Sequence, residues 1–446
     1  MPQTSKHSFS IGGIHPAPHK ESSADPTLLP LPITATIMLS QHIGAPAVPC
    51  VGVGEHVERG QEIAHNASFI SAGLHAPISG TVVSIGDIPH LNGKPARAMV
   101  IKASEDDHTA DTMGREQYWS TLRLRRPDRD LSESVDAGDI RRLIAGAGIV
   151  GLGGATFPSH VKLTVSKAPE VLIINGCECE PYLMCDDALM QTFAEQVVEG
   201  TELMMKSASI PRAVIAIEDN KPAAAAAISA AIDNRHAITL EVLRTCYPQG
   251  GEKQLVEAVT GRRIPSGALP ASVGAIVHNV ATAFAVWQAV ADGIPLIERI
   301  VTVSGDIPAG QRRNYIAAIG TPLSEFPFSL PEHAKVIVGG PMMGHAAVRL
   351  DAPVTKGTSG LTLLEGKARG PVQPCMRCGA CLEACPMGLE PYLLASYGRL
   401  RRWDDAAANY VADCIECGSC SYSCPSCRPL LDYIRLAKQR SKKTRP

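Results

Sequence analysis

This sequence lacks an excess of either positive or negative residues. Its 446 residues carry 42 Lys and Arg against 44 Asp and Glu, a formal net charge of -2. The basic excess of a general nucleic-acid binder is therefore missing, and no nucleic-acid partner is expected. Aromatic residues are also few, at 4%, whereas Gly (39) and Pro (34) are plentiful. That balance favours tight turns and sites built from backbone over stacked rings. Uninterrupted apolar runs are lacking too. A membrane span needs about 20 predominantly apolar residues. Ile264 to Ala291 stays uncharged that long, but Pro265, Gly267, Pro270, Ser272, Gly274, His278, Asn279 and Gln288 break it. That stretch reads as a loop running into a buried helix. The amino terminus has no apolar core of the kind a secretory signal requires. Nine of the 14 histidines fall within the first 108 residues without His-Glu-x-x-His or other ligand spacing, so they read as structural or surface residues.

What is present is cysteine in a repeated pattern. Fourteen cysteines without an export signal point to metal ligands or core thiols rather than disulfides. Cys375-x2-Cys378-x2-Cys381-x3-Cys385-Pro386 recurs as Cys414-x2-Cys417-x2-Cys420-x3-Cys424-Pro425. Three thiolates at every third position let one loop wrap a cubane, and the fourth, beside Pro, ligates the other cluster. The spacing predicts two [4Fe-4S] clusters, one on Cys375, Cys378, Cys381 and Cys424, the other on Cys414, Cys417, Cys420 and Cys385. Zinc is the competing reading, but zinc frameworks usually hold two Cys-x-x-Cys pairs well apart. Cys427 reads as a bystander or a buried thiol near a cluster, and Cys50 and Cys246 as small core residues.

Ahead of this region the chain divides by pattern. Residues 1–28 form an irregular arm, and 29–104 show short β-branched runs punctuated by Gly and Pro, an all-β signature. Val51 to Ile63 and His75 to Val82 resemble the halves of a lipoyl-type barrel-sandwich, but no lysine lies between Asn66 and Leu74, so a carrier role is not expected. Residues 105–130 read as a charged linker. Helix and strand signals then alternate through 131–294, including Ile140 to Ala145 (helix), Val171 to Ile174 and Ala213 to Ile217 (strands), which argues an α/β layer. Residues 295–366 return to short strands, 367–437 hold the cysteines, and 438–446 form a basic tail read as a solvated end.

Gly146-Ala-Gly148-Ile-Val-Gly151 matches Gly-x-Gly-x-x-Gly, but a helical run precedes it instead of a strand. The glycines continue through Gly153 and Gly154 to Pro158, followed by Lys162. Such a loop turns main-chain N–H groups toward an anion and lets a flat ring approach the backbone. Lys162, read at the next helix start, suits a phosphate. Asn175-Gly-Cys-Glu178-Cys-Glu180 follows a buried strand, where polar side chains commonly meet a ligand. Gln249-Gly-Gly-Glu252-Lys and His278-Asn279-Val-Ala-Thr282 add polar groups that also read as helix caps.

Together these segments resemble the flavin fold of the NADH-oxidising flavoprotein subunit of respiratory complex I. More fully, the chain resembles the C subunit of the Rnf-type ion-translocating ferredoxin:NAD oxidoreductase. The motifs run in order through Phe9 to Pro16, Pro18-His-Lys20, Gln41 to Gly44, Gly151 to Pro158, Asn175 to Asp187, Gly261 to Gly267 and Asp413 to Gly418. The resemblance implies a multidomain α/β plus α+β protein. Its parts are a barrel-sandwich domain, a Rossmann-like FMN domain, a β-grasp (SLBB) module and a helical bis-[4Fe-4S] ferredoxin-like domain. It implies noncovalent FMN, NAD(H) as substrate, and electron passage to partner subunits and ferredoxin. The expected place is peripheral, on the cytoplasmic face of a bacterial inner membrane. By matching position, Gly151, Gly153, Gly154 and Lys162 contact the flavin and its phosphate, and Asn175, Glu178, Glu180, Asn279 and Thr282 line the remainder. Glu252, near the nicotinamide, is the catalytic candidate. Two departures stand out: the family's long Ala/Lys-rich extension has no counterpart here, and Cys427-Arg428 replaces an Asn-Ile pair beside one cluster. A cobalamin reductase with similar flavin and cluster domains is the alternative enzyme, and a flavin-less electron wire the alternative of another class.

Overall fold

Alternation of apolar and polar residues sets the first layer. The computed structural model describes residues 8–21, 25–104, 135–165, 169–366 and 370–441; the expected linker at 105–130 and the end of the basic tail lie outside them. After β1 (Thr27–Leu28) come β2 (Thr34–Met38), β3 (Val48–Pro49), β4 (His56–Val57), β5 (Glu62–His65), β6 (Leu74–His75), β7 (Gly80–Pro89) and β8 (Pro95–Ala103). They form a four-stranded sheet in the order β2-β8-β7-β4 and a three-stranded sheet β3-β5-β6. Ala35, Ile37, Val57, Ile63, Val82, Met99 and Ile101 are buried in one core, the period-two burial expected of packed sheets.

The α/β layer begins with α1 (Ala137–Gly146) and α2 (Ser159–Leu163). Asp136 caps α1 by accepting the Asp139 N–H at 2.7 Å, as an N-cap aspartate does. Four strands follow: β9 (Val171–Gly176), β10 (Ala213–Glu218), β11 (Ile238–Leu243) and β12 (Ala275–Asn279). All pair in parallel, in the order β11-β10-β9-β12. Buried on both faces, they read as near-continuous apolar runs. Helices α3 (Cys185–Thr192), α4 (Ala194–Ala208), α5 (Pro222–Ala231), α6 (Glu252–Thr260) and α7 (Val280–Trp287) connect and cover them. Leu172 and Ile174 face the core shared with α1, α4 and α7, while Val171 and Ile173 face Leu255 and Val256 of α6. Here the structure differs from the sequence reading of 264–291. A five-residue strand, β12, stands where a loop was expected, because its flanking Pro and Gly mask a segment too short to show periodicity.

The third unit is a six-stranded sheet in the order β1-β14-β13-β17-β15-β16, built from β13 (Glu298–Gly305), β14 (Arg313–Ala318), β15 (Ala334–Val338), β16 (His345–Ala346) and β17 (Gly360–Glu365). The arm read as irregular contributes β1 here, pairing parallel to β14 through Thr27–Tyr315.

The cysteine region is helical: α8 (Ala380–Glu383), α9 (Pro391–Arg399), α10 (Trp403–Ala408), α11 (Ser419–Tyr422) and α12 (Leu430–Ser441). The two cysteine runs adopt the same local path. Arg377 and Glu416 take φ 57° and 59°, Gly379 and Gly418 take φ 83° and 82°, and a four-residue helix follows each glycine. Leu394, Ala406, Val411, Leu430 and Ile434 form the domain's own core. Among the described residues no helix is long and apolar enough to cross a membrane.

Candidate functional site: a strand-end crevice and a cysteine cavity

The order β11-β10-β9-β12 reverses direction between β9 and β12, and open parallel sheets bind ligands at that switch point, beyond the carboxyl ends of the strands. Asn175 and Asn279 are register partners there. Asn279 Oδ1 caps α7 by accepting the Ala281 N–H at 2.9 Å. Its Nδ2 donates to Asn175 O at 3.3 Å and to Asp186 Oδ2 at 2.6 Å. Asn175 accepts the Cys177 N–H and donates to Gly250 O, both at 2.9 Å.

The Gly-rich loop lies across this crevice. Thr282 Oγ1 accepts the Leu152 N–H at 2.9 Å, and Gly151 N–H closes the loop on Phe157 O at 2.8 Å. A Cβ on Gly153 would stand 3.3 Å from the Asn279 Cβ, whereas Gly154, at φ 103°, faces open space. The Gly153 and Gly154 N–H groups have no partner among the described residues. The structure thus brings Gly151, Gly153, Gly154, Asn175, Asn279 and Thr282 together. Two unspent N–H donors, open backbone and the buried, unpartnered Nε2 of His278 suit a flat, phosphorylated cofactor.

Lys162 sits in the last turn of α2, not at a helix start, and pairs with Glu252 Oε1 at 2.5 Å. His278 is held neutral by burial, with the Lys162 charge adding to the effect. Glu178 is buried beside the crevice, where Oε1 accepts from Cys185 Sγ at 3.2 Å and the Asp186 N–H at 3.1 Å. Its Oε2 is buried without a partner. Burial, then the Glu178 charge, raises the Asp186 pKa. Glu180 points elsewhere. Its carboxylate accepts the Met342 and Met343 N–H groups at 3.0 and 2.7 Å, clamping the loop after β15. Burial pushes its pKa up to about 6.

Cys385, from the first cysteine run, lines one apolar cavity with Cys414, Cys417 and Cys420 from the second. Burial pushes the Cys414 and Cys420 thiols up to about 11 and about 12. In the other run Cys375 and Cys378 are exposed, while Cys381 is half-buried and lies within electrostatic reach of Cys424 and Cys375. A tetrahedral zinc site with bonds near 2.3 Å holds its sulfurs about 3.8 Å apart. Among the described residues the one group of three metal-capable side chains within 4.8 Å of one another is Glu178, Cys185 and Asp186. The cysteine quartets are more widely spaced, as the larger cubane requires.

The cavity is packed against the α/β layer. Tyr247, fully buried, donates its hydroxyl to Cys417 O at 2.7 Å. Gln254 Nε2 on α6 donates to Pro386 O at 3.2 Å. The arm intervenes: Gly13 N–H reaches Ala384 O at 3.2 Å, and a Cβ on Gly12 would overlap Cys385 O. Single motifs did not disclose Tyr247, Gln254, the half-buried Lys20 or the buried cations Lys221, Arg299 and Lys356. Lys20 alone had a signal, the Pro18-His-Lys20 segment; its ammonium donates to Glu178 O at 2.9 Å, Glu180 O at 2.8 Å and Leu183 O.

Comparison with known proteins follows the same division. Residues 8–106 match the family described as the RnfC barrel sandwich hybrid domain, 144–288 the Nuo51 FMN-binding domain, and 374–428 a 4Fe-4S dicluster domain. The chain is 42% identical to the C subunit of the Na(+)-translocating ferredoxin:NAD(+) oxidoreductase complex of Acetobacterium woodii, over 97% of each chain. It is 42% identical to the C subunit of the proton-translocating ferredoxin:NAD(+) oxidoreductase complex of Clostridium ljungdahlii, over 97% of this chain and 93% of that one. With the C subunit of the ion-translocating oxidoreductase complex of Rhodobacter capsulatus it shares 41% identity, over 87% and 74%. An NAD+-reducing [NiFe]-hydrogenase structure is similar in fold, with TM-score 0.51 and 18% identity over 74% of this chain and 69% of that one.

Proposed function

Because this chain belongs to the C-subunit family of the Rnf-type ion-translocating ferredoxin:NAD oxidoreductases, we propose that it is the subunit through which electrons pass between NAD(H) and the iron–sulfur chain of such a complex. Its partners are then the other subunits of the complex and, through them, ferredoxin. Likeness along 97% of the chain favours this over a cobalamin reductase. The peripheral, cytoplasmic-face location belongs to the same proposal.

A flavin exchanges a hydride with nicotinamide and single electrons with clusters, which is why it stands between them. In our reading the Gly153 and Gly154 N–H groups and Lys162 hold the phosphate and flavin edge. Asn175, Asn279 and Thr282 shape the floor, and Glu178 supplies a buried carboxylate beside it. Glu252 orients Lys162 and faces the nicotinamide side. Cys385, Cys414, Cys417 and Cys420 hold the cluster nearer the flavin, and Cys375, Cys378, Cys381 and Cys424 the outer one. Glu180 serves the packing of the β-grasp module instead of the cofactor.

The observation that carries the reading lies in the first turn of α6. Glu252 there pairs with Lys162 beside the Gly-rich loop, and Gln254, two residues on, donates to Pro386 O next to Cys385. One rigid helix therefore spans the nucleotide and cluster sides, the short separation that electron transfer needs. An anaerobic NADH titration of the cluster-replete protein tests it. Sequential bleaching of flavin and cluster absorbance is expected; intact cluster absorbance with no bleaching would overturn the reading. Glu252→Ala should slow flavin reduction with cluster content unchanged.

A further inference from the structure

Two buried cations hold the Gly-rich loop from behind, and both come from the β-grasp module, a part of the chain to which the electron path assigns no task. Arg299 on β13 is buried and donates from Nη1 and Nη2 to Leu152 O, each at 3.3 Å, and from Nη1 to Lys356 O at 2.8 Å. Lys356, also buried, donates from Nζ to Gly148 O at 2.6 Å and to Gly73 O of the barrel-sandwich unit at 2.7 Å. Its own N–H is accepted by Gln41 Oε1 at 2.8 Å. The loop thus has two carbonyls anchored on one side, at either end of its tightest part.

The consequence follows from peptide geometry. C=O and N–H of a trans peptide point in opposite directions. With Leu152 O fixed on Arg299, the Gly153 N–H is turned away from the β-grasp module, and it is a loop donor left without a partner among the described residues. Burying a guanidinium is costly unless it is well bonded, so a merely space-filling role would be met more cheaply by an apolar side chain. We propose that Arg299 and Lys356 are positioning residues that aim the Gly153 N–H and set the Gly-rich loop for the flavin cofactor. The β-grasp and barrel-sandwich units then act as the backing of the flavin site. The absence of a carrier lysine between Asn66 and Leu74 fits that use, since Gly73 at the end of the same segment supplies the second carbonyl for Lys356.

This inference rests on the flavin reading above, and the experiment separates the two. The full, cluster-reconstituted chain is stripped of flavin and titrated with FMN by fluorescence quenching. Failure of the wild-type chain to bind FMN would defeat the flavin reading itself. Given wild-type binding, Arg299→Met is expected to weaken FMN at least tenfold and to shift the midpoint potential of the bound flavin, with iron content and cluster absorbance unchanged. Arg299→Lys, which keeps the charge but loses the fork, should be weakened about threefold. Lys356→Met should weaken FMN in the same sense. A folded, cluster-replete Arg299→Met protein that binds FMN within twofold of wild type overturns the proposal. Should that variant fail to fold, wild-type affinity in Arg299→Lys overturns it equally.

Discussion

Lys356 Nζ meets two backbone carbonyls, Gly73 O and Gly148 O, and burial pushes its pKa down to about 7. A neutral amine still has the two N–H donors these bonds use. Between about 7 and the ordinary value of 10.5 the unfolded chain binds more protons at this position than the folded one, so stability rises with pH across that window. His75 and His42, which face the same amine, are also held down by burial, His75 to about 3. Their pH dependence falls below pH 7, outside that window. Denaturant unfolding of the flavin-free protein at pH 7 and pH 9 should therefore show wild type gaining on Lys356→Met by up to about 1.4 kcal/mol per pH unit. Parallel profiles would refute the assignment. Tyr247 gives a second residue-scale expectation. Removing only its hydroxyl, in Tyr247→Phe, leaves Cys417 O without that donor, at a cost of about 1–3 kcal/mol for a buried acceptor. A lower thermal midpoint with intact flavin binding is the expected result.

Helix contacts were partly legible from the chain. The alternation over 131–294 gave an α/β layer, and strands β9 and β10 sit where their apolar runs suggested. Close approach of helices was not legible, because it depends on which glycine meets which neighbour. Gly200 on α4 packs so tightly on α7 that a Cβ would overlap Ala283 O. Overpacking of this kind usually costs about 1–3 kcal/mol. Gly200→Ala should lower the urea midpoint accordingly, and an unchanged midpoint would show that the helices can separate freely. The cysteine runs are the opposite case. Their matched φ values at Arg377 and Glu416, and at Gly379 and Gly418, follow from a local spacing written twice in the sequence.

At the scale of the whole molecule, the two cysteine quartets differ in position. Cys417 is buried and bonded through its carbonyl to Tyr247, whereas Cys378 is exposed. If electrons leave the flavin by way of the inner quartet, Cys417→Ala and Cys378→Ala should fail at different steps. In the NADH titration the Cys378→Ala protein should still reduce its inner cluster, and the Cys417→Ala protein should bleach flavin without bleaching the remaining cluster. Electron paramagnetic resonance of samples frozen after NADH addition distinguishes them. Identical behaviour of the two variants would remove the proposed order.

By itself the sequence determined what short-range spacing can encode: eight cysteines in two cubane-type runs, a loop of glycines, the β-branched runs of the first unit and the ordered motifs of its family. Those features are set within a few residues, where covalent geometry and local backbone preference dominate. Only the tertiary structure decided that Glu180 clamps the β-grasp loop and that Arg299 and Lys356 stand behind Gly148 and Leu152. Each of those contacts joins residues far apart in the chain. No local pattern marks them, because a buried lysine or arginine is acceptable only where distant carbonyls are brought to meet it.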